Sequence, residues 1–120
     1  MAYNVISKGS DETIQLTLID EKGEPIVVSE LEDVIVRVYQ TPGAILQENK
    51  LSDDTITPVE GTENKIKFPL YGQTTLRIAT KRLFLEIITE KTDETFVGGI
   101  KKTKVSGIEL ADLITPATNG

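Results

Sequence analysis

Two runs of strict alternation flank a short polar turn within residues 8–39, and that arrangement narrows the fold more than any other part of the chain. In residues 12–19, Ile14, Leu16 and Leu18 point one way and Thr13, Gln15 and Thr17 the other. In residues 34–39, Val34, Val36 and Val38 oppose Ile35, Arg37 and Tyr39. A period of two is that of a strand with one face buried. Residues 20–25 between them read Asp-Glu-Lys-Gly-Glu-Pro. Gly23 suits a positive φ and Pro25 fixes the exit, so the stretch is expected to turn. Two half-buried strands need further strands to cover them.

The rest of the chain supplies those strands. Residues 3–7 read as a first strand, broken by turn residues at 8–11. Residues 26–28 are short and apolar, and 29–33 suit a capped single turn with Leu31 as a plug. Thr41, Pro42 and Gly43 make a strong break. Residues 44–49 read as an edge strand, because their alternation is poor. Pro58 assigns residues 55–59 to an edge or an irregular strand. Residues 65–68 should bury Ile66 and Phe68, with Pro69 ending the strand. Residues 70–80 suit a one-turn helix or a loop. Residues 81–90 are nearly continuous in apolarity, which predicts a central strand. Residues 95–101 are expected to pair back on it as a hairpin, with a bulge or close backbone approach at Gly98 and Gly99. Residues 102–108 suit a last strand or a continuation, and 109–114 a closing turn.

The expected fold is therefore all-β, an Ig-like antiparallel β-sandwich of about seven or eight strands over residues 1–114, with a flexible polar tail over 115–120. A chain of 120 residues can bury such a core without staples.

Composition excludes several chemistries. Without Cys, His or Trp the chain has no thiol or imidazole catalysis, no Cys/His zinc site and no disulfide. Its net charge of −6 disfavours a nucleic-acid partner that would be held by phosphate neutralisation. No apolar run reaches the ~20 residues of a membrane helix, and the first residues lack the basic and apolar regions of a signal peptide. The expectation is a protein made in a cytoplasm, with no membrane partner, that later joins something larger.

Acidic pairs at Asp11–Glu12, Asp20–Glu21, Glu32–Asp33 and Asp53–Asp54 are candidates for calcium ligands or for carboxylates in hydrolysis. Their spacing matches no calcium loop, and solvated turns explain them. Lys101, Lys102 and Lys104 form the one basic cluster, suited either to docking an acidic neighbour or to shielding an edge strand. Tyr3, Tyr39 and Tyr71 are too few for a sugar platform and suit the rim of a core. Gly98 and Gly99 lack a phosphate-loop context. No catalytic, metal or cofactor residue is assigned.

The turn and strand chemistry of residues 8–39 also resembles the N-terminal domain of phage baseplate upper proteins and related Ig-like phage virion modules. The matching features are Lys8-Gly9, the alternation of 14–18, the Asp-Glu-x-Gly-x-Pro-Ile turn at 20–26, and the strand at 34–38. Residues 82–87 resemble a later strand of such modules, although the glycine that precedes it there is missing here. The resemblance implies a β-sandwich with a structural role and no catalytic residues. It implies a non-enzymatic virion protein of a tailed phage (baseplate, tail, fibre-attachment or head-decoration adaptor), bound to other virion proteins and to copies of itself. The alternative is an Ig-like cell-surface adhesion or ligand-binding module. It predicts exposed aromatics or a metal cluster at one end, and a secretion signal.

Overall fold

A computed structural model describes residues 4–7, 9–41, 43–76 and 82–114. The expected tail at 115–120 and Tyr3 lie outside the described residues. Eight strands form two facing sheets: β1 (Asn4–Ser7), β2 (Glu12–Thr17), β3 (Asp33–Thr41), β4 (Ala44–Lys50), β5 (Thr57–Pro58), β6 (Lys65–Leu70), β7 (Arg82–Thr92) and β8 (Ile100–Ile114). The larger sheet has the order β1-β8-β7-β3-β4 and the smaller β2-β6-β5. All neighbours are antiparallel except β1, which lies parallel to the end of β8. The protein is thus an all-β sandwich, with eight strands among the described residues. A short helix, α1 (Gly72–Leu76), falls within residues 70–80.

The alternation at 8–39 acts across the two layers. β2 pairs with β6 in one sheet and β3 pairs with β4 and β7 in the other. Ile14 and Leu18 therefore face Val34, Val36 and Val38 through the core, which Ile56, Ile66, Phe68, Leu70, Leu83 and Leu85 complete. Removing each such side chain from water stabilises the fold by about 1.5–3 kcal/mol. The turn that links the layers is closed by Asp20. Its carboxylate accepts the amides of Lys22 and Glu24, each at 2.9 Å, and Gly23 takes φ +81°.

Three strand boundaries differ from the sequence expectation. Pro69 does not end β6, which continues to Leu70. Val59 donates to the Lys65 carbonyl, so odd-numbered β6 residues turn their backbone towards β5. β5 reaches only as far as Lys67, so the missing Pro69 amide has no strand to bond. The residues 95–99 form a turn rather than strand, with both glycines at positive φ. The return strand then runs unbroken from Ile100 through Ile114, where a closing turn was expected; pairing with β1 keeps its end extended. The pairing with β7 shifts register twice, and one shift falls at Gly107, φ +76°, whose amide donates to the Tyr39 hydroxyl at 2.7 Å. Tyr39 reaches there across β7, stacked on Phe84 with centroids 5.8 Å apart.

Candidate interaction surface

The β7–β8 hairpin is the longest pairing among the described residues, and its distal end is an arm. The last register pair is Thr92 with Ile100. Residues 93–99 close it, organised by Asp93, whose carboxylate accepts the Thr95 hydroxyl at 2.7 Å and the Thr95 amide at 3.0 Å. Those bonds, the hydroxyl's first, hold the Asp93 carboxyl below the usual carboxylate range. The Asp93 amide donates to the Gly99 carbonyl, and the Gly99 amide to the Phe96 carbonyl, both at 2.9 Å. A loop tied by backbone in this way has little freedom to fold its side chains inward. Val97 is fully exposed and Phe96 nearly half exposed. With Gly98, Ile100 and Lys102 they line a shallow depression of about 560 Å³. The Lys101 ammonium lies 5.9 Å from the Phe96 ring centre, within cation–π range.

Beside the tip runs an open strand edge. β1 pairs with β8 at Ala111–Ile114, and among the described residues no strand pairs with the outer side of 100–105. Two bonds fix which amides face outward. Asp93 donates towards β8, and the Glu90 carbonyl accepts from Glu32 on the β3 side. Odd residues of β7 therefore address β8, and so do their partners Lys101, Thr103 and Val105. Ile100, Lys102 and Lys104 turn their N–H and C=O groups to solvent. Val105 is itself exposed on the arm.

On the outer face of this sheet, charges alternate from strand to strand. Lys104 lies 3.6 Å from Glu86, Glu86 3.0 Å from Arg37, Arg37 2.7 Å from Glu48, and Glu48 3.7 Å from Lys50. The Glu48 hydrogen bond is the largest influence raising the Arg37 pKa. Lys102 lies 3.7 Å from Glu90. Both contacts of the edge lysines are long, and their side chains stay 68% (Lys102) and 59% (Lys104) exposed.

The four acidic pairs are not brought together. Asp11 accepts the Gly72 amide, Asp20 closes its turn, and Asp33 accepts the Ser52 amide and hydroxyl. Glu32 accepts the Thr92 hydroxyl, and Asp53 accepts that of Thr55, which lowers its pKa. Among the described residues no three acidic side chains gather as a metal site. Tyr39 is buried and Tyr71 exposed, at separate places. Phe96 and Val97 were missed because residues 95–101 read as strand; the glycine pair that follows them was the available signal for a turn.

Compared with known proteins, the chain matches no family model, no curated protein and no solved structure.

Proposed function

We propose that this chain is a non-catalytic structural module of a tailed-phage particle, working through protein–protein contacts made by the β7–β8 arm. The observation that carries the contact role is the exposed pair Phe96 and Val97 beside an unpaired strand edge. Among the described residues, three of the six exposed large apolar side chains, Phe96, Val97 and Val105, lie on this arm. Clustered apolar exposure costs solubility, and an interface is the usual return for it. An open edge adds main-chain groups that a partner strand can use. The absence of His and Cys from the sequence favours binding over catalysis. The particle assignment rests on the resemblance of residues 8–39 to phage virion modules. Its partners are then other virion proteins and further copies of the chain.

Mass spectrometry of purified particles tests this reading. The chain should be present at a fixed stoichiometry, and Phe96→Ser with Val97→Ser should lower its incorporation. A chain absent from particles that instead binds a glycan or calcium at micromolar levels would fit the adhesion module and overturn the proposal.

A further inference from the structure

We infer that the open edge of β8 receives an extended strand from another protein, acidic at two alternate positions and apolar at the third. The inference rests on the arm being a contact surface and names what it contacts. Ile100, Lys102 and Lys104 present three outward N–H and three outward C=O groups, enough to add a strand of about five residues. The side chains of these same residues share one face of the sheet. A strand laid alongside sets its own alternate side chains opposite them. Carboxylates belong opposite Lys104 and Lys102, and an apolar side chain belongs opposite Ile100, over the depression lined by Phe96, Val97 and Lys102.

The charge arrangement selects against other occupants. A second copy meeting this edge antiparallel about Lys102 would set Lys102 against Lys102, a repulsive cross-strand pair. Edge lysines also serve simply to block pairing. That role alone leaves the apolar tip unexplained, since a protective device gains nothing from an exposed Phe96 and Val97. The lysines reach Glu90 and Glu86 only at 3.7 and 3.6 Å and remain largely exposed, so each ammonium can take a second carboxylate. The same charges that reject a neutral or basic strand admit an acidic one.

The test uses the acetylated, amidated peptide Thr-Glu-Val-Glu-Val-Leu-Thr and a control with Lys at both Glu positions, titrated into the ¹⁵N-labelled chain. Amide shifts and slowed exchange should centre on Ile100, Lys102 and Lys104, with the acidic peptide bound about tenfold tighter than the control. Lys102→Glu with Lys104→Glu should reverse that order. In the unsubstituted chain, 0.5 M salt should erode the preference, which keeps the test open if the double variant fails to fold. Equal binding of both peptides overturns the inference. So do perturbation of β2 or β4 instead, no perturbation at millimolar peptide, or self-association that protects the same three amides. Particle incorporation is scored separately. A chain that enters particles but ignores the peptide loses only the edge assignment. One that takes the peptide yet is absent from particles loses only the virion reading.

Discussion

Gln47 should be among the most costly polar side chains to remove from this protein. It sits on β4 at the rim of the larger sheet, 8% exposed and pointing inward. Its Nε2 donates to Asn49 Oδ1 at 2.6 Å and to the Pro69 carbonyl at 2.7 Å. Its Oε1 accepts the Tyr71 amide at 3.1 Å and the Thr74 hydroxyl at 2.8 Å. One side chain thereby ties β4 to the end of β6 and to α1, and no buried side-chain polar atom among the described residues is left without a partner. Gln47→Ala strands four partners. Pro69 and Tyr71 lie nearer water and recover much of their loss, whereas Asn49 and Thr74 are 1% and 3% exposed. At about 1–3 kcal/mol for each buried orphan, the cost is about 3–4 kcal/mol. With an unfolding entropy of about 0.25 kcal/mol/K for a chain this long, Tm should fall by about 12–16 °C. Equilibrium urea unfolding should show the same loss at unchanged slope. Gln47→Glu sharpens the test. It keeps the acceptor but sets a carboxylate oxygen against Asn49 Oδ1 and the Pro69 carbonyl, both acceptors. Protonation restores one donor, so the new carboxyl has a raised folded-state pKa. The variant should therefore be most stable below the unfolded value of about 4.3, and lose stability as pH rises through the folded pKa. A Gln47→Ala loss under 1 kcal/mol, or a Gln47→Glu penalty independent of pH, would refute the reasoning.

Three further outcomes are expected. A Cβ at Gly72 would overlap the Gly9 carbonyl, which is backbone and cannot swing aside; Gly72→Ala should cost at least about 2 kcal/mol in urea unfolding, and a neutral result would mean the two segments separate freely. The depressed Asp93 carboxyl contributes order that is present above its unfolded pKa of about 3.9 and lost as pH falls through the lower folded value. The Thr95 amide resonance should accordingly move only in that acid range, and Asp93→Ala should abolish the transition; a midpoint at or above the unfolded value contradicts the assigned bonds. Phe96→Ser with Val97→Ser should change folding stability by no more than about 0.5 kcal/mol, since both side chains are exposed; a large drop in Tm would show that the tip packs on the fold.

The layers of the sandwich were legible because its buried faces alternate cleanly. Val34, Val36 and Val38 have no exposure, and Leu83 and Leu85 match them on β7. β4 was harder to read because the residues it turns inward are Gln47 and Asn49, so hydropathy carries no alternation there. Their amides are satisfied by backbone groups 6 to 24 residues away in sequence, which local pattern cannot reveal. Pro69 misled for a related reason. Whether a strand tolerates proline depends on whether a neighbour needs its amide, and β5 stops too soon to need it. The arm was misread locally. Thr95, Phe96 and Val97 have strand propensity, but two glycines at positive φ and the Asp93 carboxylate close the loop around them. The exposed apolar tip followed from that closure.

The parallel pairing of β1 with the end of β8 also decides how the fold carries load. Asn4 lies beside Ala111 and Ser7 beside Ile114, so the chain enters at one end of this pair and leaves at the other. Tension between the two ends pulls the strands lengthwise past each other. The four register pairs are then strained together, as in a lap joint, where a hairpin pulled from its open end would unzip one pair at a time. A chain held between neighbours through its ends would resist extension in this geometry. Single-molecule pulling from the two termini should give a higher rupture force than pulling across β7 and β8 at the arm.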